Sequence, residues 1–330
     1  MVTSTDQTTL DVPAASPRGM PRPSWRSIGI LIPFVVLFVA LSIGSPHFFT
    51  AQNLLNILDQ QSGTLIIAAA GTLVLIAGGI DLSVGATYTL AAVVSAQVVM
   101  AYGTVPGILA GLAVGLAVGA VNGVVSTVLR INSLIATLAM SFIVAGLASI
   151  VSGGSLISLR ATNPDFNEFA WTRFIGIVSS IWIALVVVVV LGVLLARTTI
   201  GRYIYAAGGN AEAARLAGIR VYGIRILTFT LSGVAAGLAG VLSTSKTLGA
   251  HADPNTTLTF IVLAGIVVGG TSILGGEGAI WRTVVGVLFI ALVYNGFNLL
   301  RVDPLFQQIA LGLILLLAVG IDAWSRVRRR

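Results

Sequence analysis

The sequence contains no cysteine, two histidines and one lysine, and only 9% of its 330 residues are charged. Without cysteine the chain has neither disulfides nor thiolate metal sites, and His47 and His251 are too few for a metal cluster. A P-loop follows the pattern G-x-x-x-x-G-K-[ST], whereas Lys246 stands in STSKTLG. The chain is therefore not expected to hydrolyse ATP or to hold a metal or cofactor, and no catalytic carboxylate pair is evident.

Hydrophobic residues make up 56% of the sequence, and its mean hydropathy is +1.01. Soluble domains carry about 25% charged residues, so the composition indicates an integral membrane protein. The ten-residue alternating segments of membrane barrels are absent, and the 38 glycines suit close contacts between spanning helices. The predicted fold class is an all-α polytopic membrane protein.

The apolar runs predict about ten transmembrane helices when each is compared with a span of about 20 residues. The predicted spans are Ile28–Gly44, Thr64–Gly79, Gly85–Ala101, Val105–Leu129, Leu134–Ser152, Phe174–Ala196, Ile226–Ser245, Leu258–Gly270, Ile280–Leu299 and Leu305–Ala323. Residues 1–27 are polar and rich in proline, so we expect a disordered cytoplasmic tail there. The membrane domain is expected over residues 28–323, with a long loop at 197–225 and a basic cytoplasmic tail at 324–330.

The basic residues predict an orientation with both termini in the cytoplasm. In this orientation 14 of the 18 lysines and arginines lie inside and four lie outside, as the positive-inside rule requires. The net charge of +7 then faces the anionic lipids of the inner leaflet, so no nucleic-acid partner is implied. Asn122-Gly123 and Asn295-Gly296 stand near the ends of the fourth and ninth spans. Their placement fits an inverted repeat of spans 2–5 and 7–10, although chance accounts for it as well.

The segment GGIDLSVG, from Gly78 to Gly85, interrupts the apolar pattern with Asp81 and Ser83. An ionisable residue inside a membrane costs about 2.5–3.5 kcal/mol on insertion scales, which favours a functional role. These two residues line a path through the membrane, cap the next helix, or do both. A second glycine-broken segment, Gly269–Gly278, is a further candidate for the path or its gates. The candidate path residues are Asp81, Ser83, Thr87, Asn122, Asn295 and Asn298.

The loop at 197–225 predicts a short helix. Asn210 suits the N-cap position, residues 211–217 are mostly strong helix formers, and Gly218 suits the C′ position. A helix of two turns is marginal alone in water, so we expect it to lie in a protein groove or on the membrane surface. Its few charged residues make a weak membrane anchor, which favours the groove. Gly208 and Gly209 are expected to form a hinge before it.

At these residues the chain resembles the permease subunits of bacterial ABC importers for ribose, xylose and galactose. The resemblance extends from Asn53 to Val319. It rests on GGIDLSVG, on NGVVSTVLRINSLIATL, on GRYIYAAGGNAEAARLAGI, on GIVVGGTSILGGEGAI and on YNGFNLL. One departure is Arg282 after Trp281, where a small residue is expected.

The resemblance implies a permease subunit in the bacterial cytoplasmic (inner) membrane, paired with a second permease subunit as a homodimer or a heterodimer. It further implies a cytoplasmic ABC ATPase docked on the 210–218 helix, and an extracytoplasmic binding protein that delivers a sugar or small polyol. Ala213 and Ala214 are then expected on the docking face. The implied coupling residues are Gly201, Arg202, Gly208, Gly209, Asn210, Glu212, Ala213, Ala214, Arg215 and Gly218.

An ion-coupled secondary transporter is the alternative hypothesis. Such a protein carries its own coupling group, usually a carboxylate within the membrane, and Asp81 is the candidate. A channel or a membrane enzyme would need a selectivity filter or a reactive constellation, and neither is visible in the sequence. Dependence of transport on ATP separates the two transporter hypotheses.

Overall fold

The computed structural model describes residues 29–303 and 305–327 and is built almost entirely of helices. In chain order these are α1 (Leu31–Gly44), α2 (Ala51–Ile76), α3 (Val84–Tyr102), α4 (Thr104–Thr127), α5 (Ser133–Ser152), α6 (Glu168–Trp171), α7 (Ser179–Arg197), α8 (Thr199–Gly209), α9 (Ala211–Leu216), α10 (Val221–Thr247), α11 (Thr256–Val268), α12 (Ile280–Leu299) and α13 (Leu305–Val327). Strands β1 (Ile157–Ser158) and β4 (Gly249–Ala250) form one antiparallel pair, and β2 (Arg173–Phe174) and β3 (Ile177–Val178) form another.

Within this described part, six helices are long and apolar enough to cross a membrane, namely α3, α4, α5, α7, α10 and α12. The all-α polytopic membrane fold is therefore confirmed. The apolar segments Leu31–Gly44, Thr256–Val268 and Leu305–Leu317 are shorter than 18 residues. The predicted tail at residues 1–27 and the last three residues of the basic tail lie outside the described residues.

Helix α10 lies at the centre of the bundle and packs against α2, α3 and α4. Its contact with α4 is made through glycine. A Cβ atom on Gly115 would overlap the carbonyl oxygen of Gly233 and would lie 3.1 Å from the Cα atom of Gly237. Small residues let helix backbones approach this closely, and in lipid such packing is a main source of helix association. Glycines of α4 and α10 thus allow these two helices to pack closely.

Two helices begin inside the bundle rather than at its ends. Non-helical residues 79–83 lead into α3, and non-helical residues 251–255 lead into α11 from the opposite direction. The two helix starts meet, because the Gly85 amide donates a hydrogen bond to Thr259 Oγ1 at 3.1 Å. A Cβ atom on Gly85 would overlap the carbonyl oxygen of Asn255. Breaks in spanning helices are tolerated where the freed backbone faces protein or a cavity.

The predicted ninth span coincides with α12, and the third to fifth spans agree with α3, α4 and α5 to within two residues. The second span was predicted too short, since α2 begins at Ala51 rather than Thr64. The first half of α2 is polar and includes Asp59, so its sequence does not have the apolar pattern of a membrane segment. In the structure Asp59 contacts other helices of the bundle. The sixth span was predicted too long, because Phe174 lies in the β2–β3 hairpin and α7 begins at Ser179.

Candidate functional site

Asp81 lies in the break before α3, and three hydrogen bonds satisfy its carboxylate. Oδ1 accepts from the backbone amide of Ser83 at 3.0 Å and from the Ser83 hydroxyl at 2.7 Å. Oδ2 accepts from the hydroxyl of Ser232, near the middle of α10, at 2.8 Å. The bond from Ser232 fastens the segment before α3 to the central helix, 151 residues away in sequence.

We call Asp81, Ser83 and Ser232 the Asp81 cluster, and Ser83 connects this cluster to α4. The side-chain amide of Asn122 donates to Ser83 Oγ at 2.7 Å, while the buried Asn122 Oδ1 has no partner among the described residues. Helix capping was one of the two roles that the sequence left open for Asp81 and Ser83. Ser83 occupies the N-cap position, but its side chain makes no capping hydrogen bond. Its hydroxyl is engaged by Asp81 and Asn122 instead.

The structure does not bring all six predicted path residues together. Thr87 is buried one turn into α3 and its hydroxyl has no partner among the described residues. Asn295 forms two reciprocal amide hydrogen bonds with Asn53, at 2.9 and 3.2 Å, which join α12 to α2. Asn298 Oδ1 accepts from Gln307 at 3.1 Å. Asn295 and Asn298 therefore stand in separate contacts between helices, away from the Asp81 cluster.

The short helix predicted in the long loop is present as α9. Asn210 Oδ1 accepts hydrogen bonds from the amides of Glu212 at 3.1 Å and Ala213 at 3.0 Å, as an N-cap residue does. Gly218 follows the helix with φ +83°, a conformation that favours glycine. Glu212 and Arg215 form an exposed ion pair at 2.7 Å. We call the end of the bundle where α9 lies the α9 end.

The two alanines at the centre of α9 face different ways, which corrects the prediction that both lie on the docking face. Ala214 is buried in a cluster with Ala207 and Val221, and so it holds α9 onto α8 and α10. Ala213 is exposed, and the Leu216 side chain is 80% exposed. Residues three and four apart share one side of a helix, and Ala213 and Leu216 therefore form the free face of α9.

The prediction that Gly208 and Gly209 form a hinge is also wrong for Gly208. Both belong to α8, a helix that the sequence did not predict. A Cβ atom on Gly208 would overlap the Ile76 carbonyl oxygen and lie 2.8 Å from the Gly276 amide nitrogen, whereas one on Gly209 would meet nothing within 4 Å. Gly276 donates its amide to the same Ile76 oxygen at 2.9 Å. Gly208 is thus a packing contact, and we call the meeting of Ile76, Gly208 and Gly276 the glycine junction.

The remaining coupling candidates, Gly201 and Arg202, lie in the first turn of α8. Gly201 is buried and packs so closely against Leu195 that a Cβ atom there would overlap the Leu195 carbonyl oxygen. Arg202 is exposed. The Tyr205 hydroxyl donates to the Gly278 carbonyl oxygen at 2.8 Å. Burial raises the pKa of the Tyr205 phenol, and the positive charge of Arg282 opposes part of that shift. The unexpected arginine therefore adds a charge beside α8.

An ion pair at the opposite end of the bundle was missed in the sequence. Lys246 Nζ lies 2.7 Å from Asp59 Oδ1 and also donates to Ser62 Oγ at 2.9 Å. The Ser180 hydroxyl donates to Asp59 Oδ1. The group joins α2, α7 and α10, and both charged side chains are less than 20% exposed. The signal in the sequence was the single lysine, which had been counted only as an outer basic residue.

Two cavities open at this same end and were also missed. The large cavity has a volume of about 850 Å³ and the small cavity about 220 Å³. Tyr88, Ser243 and Asn255 line both of them. Lys246 and Ser62 line the small cavity, whereas Arg160, His251 and Asp253 line the large one. Neither histidine nor the β1–β4 strand pair had been assigned a role from the sequence.

Comparison with curated proteins identifies sugar permeases as relatives. The chain is 39% identical to the ribose import permease protein RbsC of Escherichia coli over 295 residues, which cover 88% of this chain and 92% of the relative. It is 37% identical to the L-arabinose transport system permease protein AraH of Escherichia coli, with 93% of both chains covered. The L-arabinose ABC transporter permease protein AraH of Azospirillum brasilense is 40% identical, with 93% and 91% covered.

A family model described as "Branched-chain amino acid transport system / permease component" matches residues 53–319. This range contains both glycine-broken segments, the long loop with α9 and the two cavities. The sequence interval agrees with the resemblance found from the motifs. The chain therefore belongs to this permease family, and it is a multi-pass inner-membrane permease subunit of an ABC importer, whose ATPase is a separate subunit.

Proposed function

We propose that this chain moves a monosaccharide or a similar small polyol inward across the membrane. Energy comes from a separate cytoplasmic ABC ATPase, and an extracytoplasmic binding protein delivers the sugar. The observation that carries the proposal is the identity of 37–40% with ribose and L-arabinose permeases over nearly the whole length of each chain. The ion-coupled transporter is not favoured, since these relatives are permeases of import systems.

The free face of α9 supports docking of the ATPase. Ala214 anchors the helix from behind, so a partner meets the exposed Ala213 and Leu216, with the Glu212–Arg215 ion pair at the side. A large exposed apolar side chain beside a charged pair suits an interface with an apolar centre and a polar rim. Asn210 and Gly218 fix where the helix begins and ends.

The glycine junction supports transmission of movement from α9 to the broken helices. Gly208 lies two residues before Asn210 and contacts both the end of α2 and the loop after α11. A displacement of α9 would therefore reach Ile76 and Gly276 without an intervening flexible segment. Residue 78, at the start of the Asp81 segment, also approaches Gly275, whose added Cβ atom would lie 2.9 Å from the Gly78 Cα atom.

The proposed topology has ten spans with both termini in the cytoplasm. It adds α1, α2, α11 and α13 to the six long apolar helices. Helices α2–α5 and α10–α13 then form inverted repeats. The meeting of the α3 and α11 starts from opposite directions and the matching places of Asn122 in α4 and Asn295 in α12 support this arrangement. A Gly209→Cys substitution should resist an impermeant thiol reagent in intact cells, and rapid labelling from outside would contradict the topology.

The proposed domain organisation has a cytoplasmic tail at residues 1–27, the permease domain at 28–323 with its coupling loop at 197–225, and a basic tail at 324–330. A homodimer is proposed for the permease, with membrane lipid around it. Exposed apolar side chains on the long helices are suited to both contacts; among them are Phe142, Ile150, Val186 and Leu109. The Asp81 cluster is proposed to fix the break before α3 within the path, because Asp81 holds its own segment through Ser83 and joins it to α10 through Ser232.

Reconstitution tests the proposed function. The permease is placed in vesicles with its ATPase inside, and the binding protein is added outside with labelled ribose or L-arabinose. We expect uptake only with internal ATP, and none with an ATPase variant that binds but does not hydrolyse ATP. Uptake that follows an imposed proton or sodium gradient, without the ATPase, would support the ion-coupled alternative and refute the proposal.

A further inference from the structure

The large cavity has the dimensions of a binding site. Its volume of about 850 Å³ lies within the range of about 300–1,000 Å³ that is typical of small-molecule pockets. It lies at the end of the bundle opposite α9, beside the β1–β4 strand pair. In the proposed topology this end faces the binding protein. The cavity is therefore placed where a delivered molecule would arrive.

The large cavity and the small cavity share three lining residues, which we call the wall. Tyr88 of α3, Ser243 of α10 and Asn255 at the start of α11 line both cavities. The wall is thus made of one phenol, one hydroxyl and one amide, and it joins the three helices that meet there.

At Asn255 the lining of both cavities adjoins the meeting point of the two broken helices. Asn255 contacts Gly85 through its carbonyl oxygen, and Thr259 accepts the Gly85 amide hydrogen bond at 3.1 Å. Gly85 ends the segment that holds Asp81. The cavities therefore lead toward the same break that the sequence singled out, although none of the three wall residues was recognised there.

The chemistry of the lining suits a neutral polyol. Hydroxyls and amides both donate and accept hydrogen bonds, as sugar hydroxyls require. The charged residues at the large cavity, Arg160 and Asp253, are of opposite sign, so the lining does not select a charged ligand. A site that hydrogen bonds a substrate hydroxyl discriminates strongly against analogues without it, because its own polar groups are then left unpaired.

We propose that the large cavity is a transient sugar site, and that Tyr88, Ser243 and Asn255 are the residues that contact the sugar as it passes toward the α3–α11 break. The inference rests on the proposed function. It assigns the substrate contacts to the wall between the cavities rather than to Asn295 and Asn298. During passage, sugar hydroxyls form hydrogen bonds with the hydroxyls of Tyr88 and Ser243 and with the side-chain amide of Asn255.

The absence of cysteine makes an accessibility experiment possible. Ser243→Cys places a nearly isosteric thiol in the wall, and Ser155→Cys is the matched control, since Ser155 is exposed at the same end and lines neither cavity. Each reconstituted complex is treated from outside with an impermeant methanethiosulfonate, and its sugar uptake is compared before and after treatment. We expect labelling to reduce uptake at least tenfold for Ser243→Cys and to leave it unchanged for Ser155→Cys.

Ser158 lines the large cavity only, and Ser158→Cys is a second labelling position in case the first variant does not assemble. Tyr88→Phe provides a measurement without labelling. Because one hydrogen bond is worth about 0.5–1.5 kcal/mol net, we expect sugar uptake to slow roughly 2- to 10-fold while ATPase docking persists.

The outcomes separate this inference from the proposed function. Absence of ATP-dependent uptake of ribose and L-arabinose by the unmodified complex would refute the proposed function itself. Normal uptake by the unmodified complex, together with full labelling of Ser243→Cys and unchanged transport, would refute only the sugar site. A Ser243→Cys thiol that stays unlabelled in an assembled complex would also refute it, because the cavity would then be closed to the outside.

Discussion

The close packing at the glycine junction predicts that Gly208 does not tolerate a larger residue. In a Gly208→Ala variant the new Cβ atom would overlap the Ile76 carbonyl oxygen and lie 2.8 Å from the Gly276 nitrogen. These two atoms are the partners of the 2.9 Å hydrogen bond between α2 and the loop after α11. The added methyl group therefore enters a contact that is already closed, and the backbone groups around it must separate.

The size of the effect follows from two terms. Overpacking a close contact costs about 1–3 kcal/mol, and loss of one hydrogen bond costs about 0.5–1.5 kcal/mol. Alanine is the better helix former by about 1 kcal/mol, which offsets part of this. Gly209→Ala has a similar propensity term but no clash, since nothing lies within 4 Å of its Cβ position. We expect Gly208→Ala to be less stable than Gly209→Ala by about 1.5–4.5 kcal/mol, the sum of the first two terms.

Two measurements test this difference. Thermal unfolding of the purified permease compares the stability of the two variants with that of the unmodified protein. ATP hydrolysis stimulated by the sugar-loaded binding protein compares coupling in the assembled complex. We expect Gly209→Ala to match the unmodified complex and Gly208→Ala to unfold earlier and to lose stimulation. Equal stability and equal stimulation in the two variants would show that the junction neither supports the fold nor transmits movement.

Three further predictions concern other contacts. Ala213→Arg should weaken copurification of the ATPase while the permease keeps its thermal stability, whereas Ala214→Arg should lower that stability, since Ala214 is buried; equal effects would contradict the assigned faces. Asp81→Asn should lower ATP-dependent uptake only partly, because the serine hydroxyls can rotate to bond an amide, and complete loss with retained exchange would favour a proton carrier. Lys246→Met should destabilise the permease by about 3 kcal/mol because it leaves Asp59 unpaired, and adding Asp59→Asn should restore part of the loss, as measured by thermal unfolding.

The sequence predicted those elements whose signals are local. α12 is bounded by a glycine-rich turn and a polar end, and α9 is bounded by the Asn210 cap and Gly218, so both were located within a residue or two. α8 was missed because its 11 residues are too few for a span and three of them are glycine. The first half of α2 was missed because Asp59 and its polar neighbours are stabilised by helices distant in sequence.

The role of a residue was harder to predict than its place in a helix. Gly208 and Gly209 are adjacent glycines that the sequence does not distinguish. Gly208 packs against neighbouring backbone, whereas the space beside Gly209 is open. Asp81 was recognised, but its partner Ser232 lies in an apolar span with no pattern to mark it. The wall formed by Tyr88, Ser243 and Asn255 joins three separate helices, so no spacing along the chain reveals it.

The ion pair between Lys246 and Asp59 has a consequence for covalent chemistry. Lys246 provides the single side-chain amine of the sequence. Its nitrogen is held by oxygens of Asp59 and Ser62, and the side chain is 18% exposed. Amine-directed crosslinkers should therefore react slowly with the folded permease, and rapid acylation of Lys246 should report that α2 and α10 have separated. In a chain without thiols, this one amine is a built-in reporter of bundle opening.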